Sequence, residues 1–559
     1  MILTLGSLAL AAAPTGPDVD TLVDALARNG SALALPNAPA IYHLRYDLLT
    51  LRQLDVRASL GSLVGSNESP FNLLAVEMRV GDPSYDNTGF GGWQDGFVRG
   101  GLPSVVTPEA LANEAWRSTD LAYKQAVEQY ARKASQFVAP EGWPGDYTLT
   151  GASVADEGTA PPDPRAAELR ELAVALSGEL VGPGVQRGDV YVGHESGDLL
   201  VVDTEGTRVR QAVSESTIRA VIAVRAADGM LLTDQRLWTV RRVEQLPPRD
   251  RMLEEARRMR DALLATAAAP TLGEEYVGPV VFEQDAALDL FRYVLVAQLE
   301  GTPPEIPFDS YFGELGEDRD PVRLGRRVLP PGWSVRDDPT ARPTHPGSYR
   351  YDNEGTPARP LDLVADGIVR ALAMSRVPRK GVDGTNGHAR GLVGARPVGR
   401  VALVTVEPDR RRSDAKLVRK GLQLARAYGR DWVLVVQRLQ EPAAMALDAD
   451  LMMAEGIALP PPLHLVRRYA DGREEPVRGA DFSGIERWIL RDIAAAGPQR
   501  EGDWFAPFSG RDYASLGPTE GMASHLSAPE VLIGEVELVP ARTEPREVPV
   551  LPAPIADAG

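Results

Sequence analysis

Residues 278–299 read Gly278-Pro-Val-Val-Phe-Glu-Gln-Asp-Ala-Ala-Leu-Asp-Leu-Phe-Arg-Tyr-Val-Leu-Val-Ala-Gln-Leu299. Pro279 to Phe282 forms a short apolar run of strand type. It passes without a loop into a helical pattern, because Ala287, Leu288, Phe291, Val294, Leu295 and Leu299 recur at spacings of three and four. A strand that feeds directly into a helix places the free N–H groups of the first turn at the mouth of any adjacent site. Such a helix can carry two histidines on one face beside a glutamate, the set that grips zinc and activates water. Here the junction is Glu283-Gln284-Asp285-Ala286-Ala287-Leu288 and holds no histidine.

Working outward, the chain of 559 residues is long enough for two or more sizeable cores. Its net charge of −18 argues against a phosphate-backbone footprint, so nucleic acid is not an expected partner. The absence of cysteine excludes disulfides, thiolate metal sites and a cysteine nucleophile. Residues 1–13 form an apolar run ending in small residues, which resembles a signal-peptide core with Ala-x-Ala sites, although no positively charged segment precedes it. Export to a periplasmic space and a cytoplasmic location both stay open. No other run reaches the length of a membrane span, so a soluble protein is expected.

Toward the N-terminus, the pattern predicts a helix over 18–28. Strands over 42–60 and 71–79 follow, separated by a turn at Gly65–Pro70. A helix opening at Thr107-Pro108-Glu109 and reaching about Ala134 carries Trp116, Leu121, Tyr123, Val127 and Tyr130. A helix over 166–176 precedes five short strands, at 189–192, 198–202, 207–213, 218–226 and 231–243, with turns at Glu205-Gly206 and Asp228-Gly229. These elements make an N-terminal α+β domain with an antiparallel sheet over 18–246. Pro247-Pro248 ends it, and the helix predicted from Arg249, within 249–272, is a candidate connector. Residues 273–540 read as a C-terminal, mostly β domain with packed helices. It contains a loop-rich stretch over 301–346 and a hairpin at Asp366-Gly367. A strand over 400–406 and a helix from Ser413 to about Tyr428 follow, then a strand over 432–436, a second hairpin at Asp471-Gly472 and a strand over 531–538. A Pro-rich tail occupies 541–559. The fold class expected is α+β.

Several segments carry a resemblance. Tyr351-Asp352-Asn353-Glu354-Gly355-Thr356-Pro357, the Asp366-Gly367 hairpin and Met374-Ser375-Arg376 occur in order, followed by Gly384-Thr385-Asn386-Gly387-His388. Upstream stand Arg79-Val80-Gly81-Asp82, Asp86-Asn87-Thr88 and the helix with Trp116, Tyr123 and Lys124. In order and spacing these resemble the TldD/PmbA family, over most of residues 20–545. The resemblance implies a C-terminal domain on a curved sheet and a two-subunit assembly enclosing a peptide cleft. In TldD-type subunits a His-Glu-x-x-x-His segment and a distal cysteine bind the metal. In that register Glu283 falls at the first histidine, Gln284 at the catalytic glutamate and Leu288 at the second histidine. Gln284 cannot take a proton from water and Leu288 has no ligand atom. The chain is therefore closer to the metal-free, PmbA-type half.

Three functional expectations follow. The leading one is a peptidase-complex subunit without a cofactor of its own, shaping the cleft for a metal-bearing paralogue that carries zinc. A second is an active metallopeptidase with ligands relocated to Asp352, Glu354, His388 or His194. A third is a non-catalytic peptide-binding scaffold. Asp352, Asn353, Glu354, Asn386 and His388 are candidate cleft residues, with Asp362 close by. His194-Glu195, the one His-Glu pair, reads as part of a turn. The expected partners are the paralogous subunit, or a second copy in a homodimer, and an extended peptide; no membrane partner is expected. No Gly-x-Ser-x-Gly elbow occurs, and neither Gly89-Phe-Gly-Gly92 nor Gly178–Gly184 forms a nucleotide-binding loop.

Overall fold

The computed structural model describes residues 12–91, 94–160, 165–306, 324–382, 384–391, 395–440, 459–485, 488–506 and 521–541. The apolar N-terminal run as far as residue 11, the Pro-rich tail beyond 541 and residues 307–323 of the loop-rich stretch lie outside these. Among the described residues no helix is long and apolar enough to cross a membrane.

The first half contains α1 (Pro17–Ala32), β1 (Ile41–Ser59), β2 (Ser62–Asp82), β3 (Tyr85–Asp86), β4 (Phe97–Gly101), α2 (Pro108–Gln136), β5 (Val154–Asp156), α3 (Ala166–Glu179), β6 (Val185–Asp203), β7 (Arg208–Arg225), β8 (Leu231–Val240) and α4 (Arg249–Ala268). Its strands build an eight-stranded sheet of order β3-β2-β1-β6-β7-β5, with β4 beside β2 and β8 beside β7. Alternation along a strand decides what each face meets. Leu44, Tyr46 and Leu48 of β1 pack in the cluster that includes α1 and α2 residues, and Leu54, Val56 and Ala58 in the one that includes α3 and α4 residues. His43, Arg45, Asp47 and Leu49 occupy the opposite face.

Three sequence expectations are corrected here. The turn between β1 and β2 is at Leu60-Gly61, whose φ angles are 45° and 84°, and Gly65–Pro70 lies inside β2 opposite β1. Pro70 is tolerated because β4 pairs only with residues 73–77 of β2, leaving an open edge at 70. The four short strands expected over 189–226 are two continuous ones. His194-Glu195 therefore sits mid-strand, paired with Ser216 and Glu215. Trp116 and Leu121 are exposed on α2, whose buried face is Leu111, Ala115, Ala122, Tyr123 and Ala126.

The second half contains β9 (Tyr276–Phe282), α5 (Gln284–Val294), β10 (Ser334–Asp337), β11 (Leu361–Ala365), β12 (Ile368–Val369), β13 (Ala389–Arg390), β14 (Val398–Gly399), β15 (Leu403–Glu407), α6 (Asp414–Ala425), β16 (Trp432–Leu439), β17 (Pro462–Tyr469), β18 (Glu474–Val477), β19 (Ala480–Ser483), β20 (Ile493–Ala506) and β21 (Met522–Pro540). An eleven-stranded sheet runs β12-β11-β10-β15-β21-β9-β16-β17-β18, with β19 and β20 also on β21. β9 is antiparallel to β21 and parallel to β16. Its Val280 and Phe282 pack with α5 residues, while Val281 packs with Leu417 and Leu422 of α6. Burial on both faces explains why β9 reads as an unbroken apolar run. The α+β class and the β-rich second half agree with the sequence expectation.

At the β11–β12 hairpin, Asp366 and Gly367 have φ of 51° and 72°. A Cβ on Gly367 would lie 2.2 Å from Leu329 O. Gly367→Ala is expected to lower stability by about 1–3 kcal/mol from backbone strain alone, and by more once the clash is included. Urea denaturation of the variant checks this.

Candidate functional site

The strand-to-helix junction forms as the sequence indicates. Glu283 is extended (φ −116°, ψ 166°), and the helix begins at Gln284, whose φ of +50° is in the left-handed region. The Gln284 N–H donates to Glu530 Oε1 at 3.0 Å. Both Glu283 oxygens accept from Arg468 of β17, at 2.5 and 3.0 Å. Glu530 in turn accepts from Arg500 Nε at 2.8 Å. Leu288 is buried against Gly502, where a Cβ would meet Leu288 Cδ1 at 2.7 Å. This donor set does not fit a zinc ion. One expected position is a carboxylate engaged by a guanidinium, one an amide, one a hydrocarbon, and the chain has no cysteine.

The other sequence candidates gather around the 351–357 segment and the 384–388 turn. Asp352 Oδ1 accepts from the N–H groups of Glu354 and Thr356 at 2.9 Å each, and Oδ2 from Ala389 N–H at 3.0 Å. Asn353 Oδ1 accepts from Gly391 N–H at 3.1 Å. Asn386 ties down the strand-end backbone, accepting from Met374 N–H and donating to Leu372 O. His388 Nδ1 is 3.1 Å from Asn386 O, and its Nε2 is 3.4 Å from Asp337 Oδ2. Glu354 Oε2 accepts from Arg376 N–H at 2.8 Å. Asp362 is apart from this group, exposed and paired with Arg336. His194 is buried on β6, with Nδ1 2.7 Å from Ser216 Oγ.

Asp352 and Asn353 also border a cavity of about 220 Å³ between the open face of the first sheet and the second half. Glu195, Gln211 and Glu215 form one wall; Tyr349, Arg390 and Ala523 contribute to the other. Glu195 and Glu215 stand directly opposite each other on β6 and β7. Burial, reinforced by the Glu195 charge, pushes the Glu215 carboxyl up to about 8. Burial and the neighbouring Glu354 push Asp352 up to about 8 as well. Positive charge comes from two arginines whose hydrogen bonds go to neutral acceptors. Arg241 donates to the carbonyls of His345 and Ser348, and Arg390 to those of Val401 and Ala523 and to Ser524 Oγ. A cavity that places acids and guanidiniums on facing walls can hold a group carrying both charges or a row of peptide dipoles. Glu215, Arg241 and Arg390 carry no sequence signal, because each comes from a different strand or loop.

Among the described residues, two clusters of histidine and carboxylate groups are also present. His43, Asp203 and Glu205 lie together, but Arg376 pairs with both acids and the Glu205 carboxylate also accepts from the N–H groups of Thr150 and Gly151. A guanidinium fills that place. His345, Asp503 and His525 form the second cluster.

Two outcomes follow from this geometry. Arg468→Ala leaves Glu283 buried without its partner and is expected to destabilise the protein by about 3–5 kcal/mol, read by chemical denaturation. Glu215 binds a proton in the folded state over a pH range where the unfolded chain has released it. Stability therefore falls as pH rises from about 4 toward 8. Glu215→Gln removes this term, so the variant should gain stability relative to the parent between pH 5 and 9; a constant difference across that range would contradict it.

Comparison with known proteins places this geometry. Residues 274–430 match the PmbA/TldA metallopeptidase C-terminal domain. A metalloprotease from Methanothermobacter thermautotrophicus is 33% identical over 88 residues, which span 15% of this chain and only 19% of that protein. A proposed modulator of a DNA gyrase from Thermotoga maritima shares the fold with a TM-score of 0.56 at 16% identity, covering 93% of this chain and 99% of that one. TldE from Thermococcus kodakarensis does so with a TM-score of 0.54 at 13% identity, covering 93% and 100%. The matched C-terminal domain at 274–430 and the whole-chain fold agree with the ordered motifs at 79–88 and 351–388, in all of which this chain is similar to the TldD/PmbA family.

Proposed function

We propose that this chain is a subunit of a peptidase complex that supplies a peptide-holding surface while a metal-bearing paralogue supplies zinc and cleavage. The observation that carries this reading is the junction itself. Glu283 is engaged by Arg468, Gln284 lacks a basic carboxylate, and Leu288 is packed against Gly502. A water molecule there would meet no metal ligand set, and the two carboxylates at hand, Glu283 and Glu530, are engaged by Arg468 and Arg500. The charged cavity bordered by Glu195, Glu215, Asp352, Arg241 and Arg390 supports the peptide-holding part of the role. A peptide lying along it satisfies its backbone dipoles and termini on those walls.

The test is cleavage of unfolded peptide substrates by the purified chain, first alone and then mixed with its metal-bearing paralogue. Cleavage is expected only in the mixture, with substitution of the paralogue's metal ligands abolishing it. Cleavage by this chain alone would overturn the reading.

A further inference from the structure

The cluster of His345, Asp503 and His525 uses residues far apart in sequence that the strand-to-helix junction does not involve. Asp503 and His525 are a directly opposed pair on β20 and β21. Strand alternation puts them on the sheet face opposite Gly502, and therefore opposite Leu288 and α5. His345 reaches the same point from the turn closed by hydrogen bonds from His345 N–H to Arg342 O and from Ser348 N–H to His345 O. His345 Nε2 is 3.2 Å and His525 Nδ1 2.5 Å from the same oxygen, Asp503 Oδ1, and the two rings are 5.6 Å apart at 66°.

We propose that His345, Asp503 and His525 form a binding site for a divalent transition-metal ion of the zinc class, distinct from the family's metal position. Two imidazoles and one carboxylate are the ligand types such ions favour, with a fourth position left to water. Tetrahedral ligands about 2.0–2.1 Å from zinc stand roughly 3.3 Å from each other. The His345 contact already has that spacing, and the His525 contact has to open by under about 1 Å to reach it. The far side of His525 supports the assignment. Its Nε2 is buried, makes no hydrogen bond, and lies 3.9 Å from Glu501 Oε2. Coordination through Nδ1 would leave the ring proton on Nε2, directed to that carboxylate, the arrangement that orients metal-bound imidazoles. On the His345 side, Gly347 N–H now donates to Nδ1. Coordination through Nε2 moves the ring proton to Nδ1, so loading requires the Gly347 peptide to turn away. Gly347 borders the cavity. The ion thus clips the 342–348 turn to the β20–β21 pair beside the proposed peptide surface.

The experiment uses the full chain, stripped with chelator and titrated with Zn²⁺ by calorimetry and with Co²⁺ by visible absorption. The expected result is one ion per chain, tetrahedral-type cobalt bands, and a raised melting temperature with zinc. Asp503→Asn and His345→Ala should each weaken binding by about 100-fold or more, with the circular dichroism of the parent retained. Glu501→Gln, which leaves all three ligands in place, should weaken it by about tenfold. Absence of saturable binding at tens of micromolar metal, or binding that Asp503→Asn and His345→Ala leave unchanged, would overturn the proposal. Peptide cleavage is not the readout, so this result and that of the peptidase test are independent.

Discussion

Glu77 is a fully buried carboxylate surrounded by guanidiniums. Arg45 and Arg79 approach from its own sheet at 2.9 and 2.7 Å, and Arg396 approaches from the second half at 3.2 Å. Burial by itself would keep Glu77 protonated, but Arg79, Arg45 and Arg396 hold it ionised, well below the usual carboxylate range. The same layer continues through Arg79 to Asp86, Arg396 to Asp95, and Arg376 to Glu205. Tyr147 lies against both Arg79 and Arg376, at 3.7 and 4.4 Å from its ring centre. Charges this deep are costly unless they are paired. The two halves therefore meet through a fixed set of ion pairs, which sets the spacing across the cavity between them.

This layer also explains which parts of the molecule could be read from the sequence. The β9–α5 junction, the turns at Gly206, Gly229, Gly367 and Gly472, and the helix cap at Thr107 obey local rules, and all are present. The long β6 and β7 strands were legible only in fragments. Their middles carry His194, Glu195, Ser196 and Ser214, Glu215, Ser216, which break the apolar pattern. Those polar residues face one another across strands, and Glu195 and Glu215 face the second half. Partners more than a hundred residues away leave no periodicity within a short window.

The candidate site divides along the same line. Glu283, Gln284 and Leu288 were singled out by the spacing of a motif that the chain resembles, and Asp352 with its neighbours by their contiguity. Their buried hydrogen bonds were not foreseeable: three backbone N–H groups on Asp352 and a bidentate arginine on Glu283. Arg241, Arg390 and Glu215 are ordinary surface-type residues in sequence. Only the closure of one half on the other gives them a shared cavity.

The position of β21 has a consequence for how the chain is made. This strand, Met522–Pro540, lies in the middle of the second sheet, between β15 and β9. Until the ribosome has delivered it, β10–β12 with β15 and β9 with β16–β18 are two separate fragments with open edges. The first sheet has all its strands by Val240. Synthesis thus yields a paired N-terminal sheet whose Glu77 still lacks Arg396, followed by a long interval in which the apolar β9 is unpaired on its β21 side. Unpaired strand edges of this kind are where nascent chains aggregate, so β21 acts as the keystone of biosynthesis as well as of the sheet.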